Sequence, residues 1–426
     1  MKRNQWAISV CVLAVLASSA WGQEWTRFRG PDGQGKGAAA QLPVQWRETD
    51  IAWKTKLPGE GHSSPVLWGH RVFVTTWDKE RGEGGVMALD GSTGRILWQQ
   101  SYPLGRSRLH RDNSYASCTP AVNQESVFVS WLDGDRLVLV ALGHDGQQKW
   151  TRDYGRVQGQ HGIGGSPVLY RGLVILTQEQ WEENNDDLQS RWLGVDQVDG
   201  AIRWELPRRN GKTSYGTPSL FTDASGRAQL IFTSQAHGIT AIDPAQGKVL
   251  WEISDCFKDR TVASPVVAGD LIVGTAGGGG LGRTLVIVKS GRSGEPPKLL
   301  YATDKKGQIP YVPSTIAIGD RLYLFQDRGN ISCWDLPTGR TVWSESIKAR
   351  FYGSPVAIGD MLYCVTLKGE LVIIKAGDEF QLLAVNPLGE ACQTTPAVAN
   401  NRLYVRTLSS LVCVSGTRLS KRTAVR

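Results

Sequence analysis

The chain is predicted to be all-β: an eight-bladed β-propeller of four-stranded antiparallel blades, closed by an N-terminal strand that completes the last blade. Three observations carry this. A small residue followed by proline (threonine in one repeat), an apolar pair, a polar turn and an alternating strand recurs eight times ("SPVLWGHRVFVTTWD", "TPAVNQESVFVSW", "SPVLYRGLVILTQ" and onward to "TPAVANNRLYVRT"), with markers Pro65, Pro120, Pro167, Pro218, Pro265, Thr315, Pro355 and Pro396 about 40 to 55 residues apart. A second phrase, an acid and a glycine before a tryptophan, recurs as "ALDGSTGRILW", "ALGHDGQQKW", "GVDQVDGAIRW", "AIDPAQGKVLW" and "CWDLPTGRTVW". Finally, 49 glycines and 16 tryptophans in 426 residues suit short strands joined by tight turns.

The first element is an export signal over residues 1–22. Lys2 and Arg3 precede an apolar run from Ala7 to Ala17, and Ser18, Ala20 and Gly22 lead to Gln23. The run is shorter than the roughly 20 residues a membrane helix needs, and Cys11 lies inside it rather than after it, so an exported chain without a lipid anchor, periplasmic or extracellular, is expected. Residues 23–49 form a lead-in, 50–418 the propeller and 419–426 a basic tail.

Each repeat reads as four strands. In "LIFTSQAHGITAIDPAQGKVLW" the second and third pair through "SQAHG", and the loop from Asp243 to Gly247 reverses the chain into "KVLW". Asp bonds the amides of its own turn and glycine supplies the left-handed residue, so the acid and glycine write a hairpin. The tryptophan that follows docks on the neighbouring blade, which assigns docking roles to Trp98, Trp150, Trp204, Trp251 and Trp343. Two repeats end instead in Leu299, Leu300 and Tyr301 and in Leu382 and Leu383, and are expected to be held less tightly. The last repeat lacks its outer strand, and "DIAWKTKL" carries Trp53 at the matching place. Strand closure by Ile51 to Leu57, with Trp53 as the sixth docking tryptophan, follows.

Six cysteines remain after processing: Cys118, Cys256, Cys333, Cys364, Cys392 and Cys413. Their even number permits disulfides in an exported chain, but none are adjacent, and Cys333, Cys364 and Cys413 sit in alternating apolar strands that favour buried thiols. The net charge of +8 is spread through turns and the tail rather than gathered in a basic patch with aromatics, so no nucleic-acid partner is expected.

Side chains on the turns at one end of the ring converge on the central channel. They are His62, Tyr115, His161, Tyr215, His237, Tyr311, Arg328, Phe351, Tyr352 and Lys368. Either they form a mouth that receives a ligand or partner segment, or they fill the channel and wet its rim. No residue is assigned a catalytic or metal-binding role. No His-x-His or His-x-x-x-His pair occurs, the oxygen-rich Glu182 to Asp187 lacks the spacing and glycine of a calcium loop, and "GGGGLG" sits between strands rather than before a helix.

On its Ala-x-Asp-x-x-x-Gly-x-x-x-Trp phrase, the chain resembles the pyrroloquinoline-quinone (PQQ) repeat family of eight-bladed propellers over about residues 25–418. In size it is similar to the BamB-type assembly propellers, and "WTRFRGPDGQGKG" looks closer still to secreted propellers of that family. The resemblance implies the fold. It does not carry over a quinone site, because the neighbouring cysteines, calcium ligands and catalytic acid of the quinoprotein dehydrogenases map to no position here. The expected function is a non-catalytic binding or assembly scaffold, monomeric, without cofactor, meeting a protein or cell-envelope component at the channel mouth. The alternatives are a PQQ- and calcium-dependent oxidoreductase and a glycan-binding propeller.

Overall fold

A computed structural model describes residues 24–38, 40–183, 188–291 and 295–416. The signal and basic tail expected from the sequence, and residues 184–187 of the acidic insertion, lie outside them. Eight antiparallel sheets follow one another in chain order. The fourth, for example, runs Ser219–Thr222, Ala228–Ser234, Gly238–Asp243 and Lys248–Ile253 from the inside outward. No described helix is long and apolar enough to cross a membrane.

The ring closes as the sequence predicts. Ile51–Lys56 pairs antiparallel with Ser410–Ser415, Ile51 opposite Val414 and Lys56 opposite Ser410, so the chain's first long strand supplies the outer edge of its last sheet. A bulge between Ile51 and Trp53 breaks the register there, and equivalent bulges precede the docking aromatic in blades one to six. A bulge re-aims a side chain. Here it coincides with an indole turned toward the next sheet.

Trp53, Trp98, Trp150, Trp204 and Trp343 each donate their indole N–H to a carbonyl in the hairpin of the following blade: Gly91, His144, Gln197, Pro244 and Gly377 respectively. Trp251 departs from this pattern. It packs at the seam with the fifth blade, but its N–H is taken by Gln229 Oε1 of its own blade at 2.8 Å, so it makes no such bond across the seam. Tyr301 corrects the expectation of a loose fifth blade, since its hydroxyl donates to Leu336 O at 3.1 Å and its ring approaches Gly339, where the tryptophan would otherwise lie. The seventh blade has Leu382 and Leu383 exposed. The lead-in braces its outer strand: the backbone N–H of Trp46 donates to Asn386 Oδ1 at 3.1 Å, and Asn386 Nδ2 donates to Val44 O at 2.9 Å.

The remainder of the lead-in plugs one end of the channel. Innermost strands present a free edge to the axis, and residues 25–37 satisfy it blade by blade: Leu67 exchanges both backbone bonds with Trp25, while Val122, Leu220 and Ala357 donate to Thr26, Asp32 and Gly35. Lys36–Gly37 adds a fifth, parallel strand to the seventh blade, which the four-strand reading did not foresee. Arg27 Nη1 donates to Pro218 O at 2.8 Å, and Arg29 donates to Pro355 O and Thr315 O at 3.2 and 2.9 Å. The carbonyls of three repeat markers therefore face the plug. Both guanidiniums are buried with no ion pair within 4 Å among the described residues, and burial, offset in part by the charge of Asp32, pulls each down to about 10.

Candidate functional site

The residue before each marker is serine or threonine, and the structure gives the reason. Ser64 N–H donates to Thr119 Oγ1, Thr119 to Ser166 Oγ, Ser166 to Thr217 Oγ1, Thr217 to Ser264 Oγ, Ser264 to Ser314 Oγ, Ser314 to Ser354 Oγ, Ser354 to Thr395 Oγ1, and Thr395 back to Ser64 Oγ. Every one of these bonds is 3.0 Å long, and together they form a closed circle that staples each blade to the next. At seven of the eight positions just after these hydroxyls a proline removes the amide, Thr315 being the exception.

All eight hydroxyl residues line a cavity of about 580 Å³ on the channel axis, opposite the plug. Phe28 reaches it from the plug, between the two buried arginines. Toward the opening the wall passes to His62, His161, Tyr215, Tyr311, Arg328 and Tyr352, the six predicted residues that the fold brings together.

Four predicted residues do not line it. Phe351 is fully buried edge-on against Phe325, with centroids 5.3 Å apart, so the sixth–seventh seam holds it. His237 is buried with Nε2 accepting from Arg209 N–H at 2.9 Å and Nδ1 3.2 Å from Glu252, tying its turn to the outer strand. Tyr115 stacks on Trp77 at 4.2 Å beside the cavity. Lys368 stands exposed on its turn outside the lining.

Other contributors were missed. Arg260 and Arg350 follow outer strands, and the linker from blade one to blade two brings His110, Arg111, Asp112 and Asn113 over the opening. Their signal was present: each lies in the segment leading into a marker, the same register that identified Tyr215 and Tyr352. Selecting aromatic and histidine side chains there passed over arginine.

Two of the cavity imidazoles, His62 and His161, are shifted toward the neutral form. Burial, then the Arg406 charge, lowers His62 to about 4. Burial, then Arg260, His110 and Arg108, lowers His161 to about 4 as well. Four guanidiniums, those of Arg111, Arg260, Arg328 and Arg350, line the cavity, faced by one lining carboxylate, Asp112, which lies within 4 Å of His110, Arg111 and the Tyr352 hydroxyl. Such a donor set does not suit calcium, which wants six to eight oxygen ligands and several carboxylates. Among the described residues no group of three or more His, Cys, Asp or Glu could hold a metal ion. The cavity also offers no cysteine, and all six described cysteines are free and unbridged. The residues present do not fit a calcium-bound quinone. The hairpin tip at Gly279 and Gly280, within the glycine run between two strands, lines the cavity.

Comparison with known proteins agrees with this architecture. The chain is 24% identical over 384 residues to the outer membrane protein assembly factor BamB of Yersinia pestis, covering 84% of this chain and 87% of that protein. Among solved structures it is similar to BamB of Moraxella catarrhalis (TM-score 0.57, 15% identity, 88% of this chain and 99% of that one). It is also similar to the quinohemoprotein alcohol dehydrogenase of Comamonas testosteroni (TM-score 0.64, 14% identity, 96% of this chain and 83% of that one), and at these identities the likeness is one of fold. The family model described as outer membrane protein assembly factor BamB matches residues 44–117, 83–345, 305–385 and 327–425, and the chain belongs to that family.

Proposed function

We propose that the protein is an exported, monomeric propeller that acts as a non-catalytic scaffold in the cell envelope, binding a protein or envelope component at the open mouth of its channel. The observation that carries this reading is the asymmetry of the axis. One end is sealed by residues 25–37 through backbone bonds and buried arginines, while the other opens into a 580 Å³ cavity walled by aromatic, hydroxyl and guanidinium groups. Similarity to assembly factors along most of the chain supports the scaffold class. Propeller binding sites commonly sit on such loop faces.

The test is site-specific photocrosslinking in intact envelopes, with a benzophenone side chain at Tyr352 on the mouth and, separately, at Val342 on an outer strand. The reading expects one discrete adduct from position 352 and none from 342. Equal or absent adducts from the two would overturn it. Mixing the protein with PQQ and calcium tests the enzymatic alternative: quinone absorbance surviving desalting, with dye reduction by an alcohol or sugar, would replace the scaffold reading.

A further inference from the structure

The cavity is short of acceptors and rich in donors. Each of its eight ring hydroxyls accepts the N–H of the preceding blade, and none donates to another described group, so each retains a proton to give. Of its four arginines, only Arg111 lies within 4 Å of a carboxylate. Arg260 has only a long bond to the Tyr311 hydroxyl (3.4 Å) and a position 5.9 Å over the Tyr215 ring, and its Nε is buried with no partner. Arg350 lies 5.9 Å over the Tyr352 ring; its charge is felt by the buried Asp327, but among the described residues no carboxylate pairs with it within 4 Å. Arg328 has no side-chain partner among the described residues.

Elsewhere in this protein, Arg208 and Arg283 have a carboxylate partner even though the Nε of each is buried without a hydrogen bond. Arg208 pairs with Glu252 at 2.5 Å, and Arg283 with Asp259 at 3.1 Å. Guanidiniums left unpaired around a confined space, above a ring of hydroxyl donors, are complementary to planar, bidentate anions. A neutral glycan would leave those charges desolvated and unpaired, a cost that disfavours it.

We infer that the mouth is a receptor for clustered carboxylates, with Arg260, Arg328 and Arg350 gripping acidic groups that reach down toward the Ser/Thr ring. Two sources share that chemistry, an acidic stretch of a bound polypeptide and a free polycarboxylate. The inference rests on the mouth being the binding face, and it specifies what enters.

Isothermal titration of the full chain at low ionic strength distinguishes the sources. The probes are a hexaglutamate peptide, citrate, a hexalysine peptide and maltohexaose, each offered to wild type, Arg260→Gln, Arg328→Gln and Arg350→Gln. At least one carboxylate probe binds, each substitution weakens it about tenfold or more, and 0.5 M NaCl weakens it further. Tighter binding of hexaglutamate assigns the site to a polypeptide, and tighter binding of citrate assigns it to a small molecule. Either result supports the receptor. In parallel, NMR titration of His161 shows its pKa rising from about 4 when the probe binds, because the anion offsets the field of Arg260.

Absence of binding by both acidic probes, equal binding of maltohexaose, or affinities unmoved by all three substitutions would overturn the inference. Arg328→Gln removes no internal contact, so it remains informative even if Arg260→Gln perturbs folding. The outcomes separate from those of the scaffold reading. A mouth-specific crosslink that none of the three glutamine variants weakens sinks only the carboxylate receptor, and carboxylate binding without any mouth-specific crosslink sinks only the scaffold.

Discussion

The indole of Trp204 lies across Gly247 of the following blade, so close that a Cβ on that glycine would sit 2.4 Å from the ring, and its N–H donates to Pro244 O in the same hairpin. The acid–glycine–tryptophan phrase is thus an interlock between successive repeats: the acid and glycine of one blade make the seat for the tryptophan of the blade before. Gly94 under Trp53 and Gly146 under Trp98 repeat it. Gly247→Ala therefore meets both a left-handed backbone (φ 67) and the indole, and should cost at least about 2 kcal/mol in urea unfolding. Gly269→Ala is the control, with a similar φ of 61 but open space around it, and should cost only about 1 kcal/mol.

The hydroxyl circle makes a separate demand. Ser264→Ala removes the acceptor of the buried Thr217 N–H and should destabilise by about 1–3 kcal/mol, whereas Ser264→Thr, which keeps the oxygen, should cost clearly less. Equal losses for the two would mean that packing, not the hydrogen bond, sets the cost.

Acid sensitivity follows from His62. Its folded-state value of about 4 lies below the ordinary 6.5, so on acidification the unfolded chain takes up the proton first, and stability falls as pH drops from 6.5 to 4. The contribution is about 3 kcal/mol at most. Asp327, held up to about 6 by burial, works oppositely, because its stabilisation is present below its ordinary 3.8 and lost as pH rises through 6. Urea unfolding at pH 4.5 and 7 should therefore show a smaller acid-induced loss for His62→Asn than for wild type, and a larger one for Asp327→Asn.

For the plug, Arg29→Met deletes four donor contacts to Gly33, Gln34, Thr315 and Pro355 carbonyls. Hydrogen exchange at Gly33 and Gly35, whose amides are bonded within the plug, should accelerate about tenfold or more. Amides of the fourth blade's inner pair, such as Ile231, should change far less.

Blade number, strand order and the closing strand were legible because they rest on repetition. A hairpin signature in register, and one tryptophan-bearing segment upstream of a repeat lacking a strand, leave few arrangements that bury the indoles. What the sequence hid is what has no period. Trp251 reads like its counterparts, yet the fifth blade's hairpin is written "KSGRSGEPPK" and lacks the acid–glycine seat, so its N–H turns back to Gln229. The plug was unreadable because "WTRFRGPDGQGKG" carries no strand alternation, its "GPDG" turn signal says nothing of where the turn docks, and its two arginines are buried by bonding backbone carbonyls that any sequence would supply. In the site, register located the mouth, but it does not set the direction of a side chain on a turn: Phe351 packs edge-on against Phe325 in a seam, and His237 folds back onto Arg209 N–H and Glu252.

The account stands most directly on whether the mouth side chains bind or merely fill. Tyr215, Tyr352 and His161 would be replaced together by alanine, and the variant's thermal midpoint and its capture of the partner crosslinked at position 352 measured side by side. The account predicts capture reduced at least tenfold with the midpoint within about 3 °C of wild type. Undiminished capture, or a midpoint that collapses along with it, would contradict it and assign these rings to the packing of the channel.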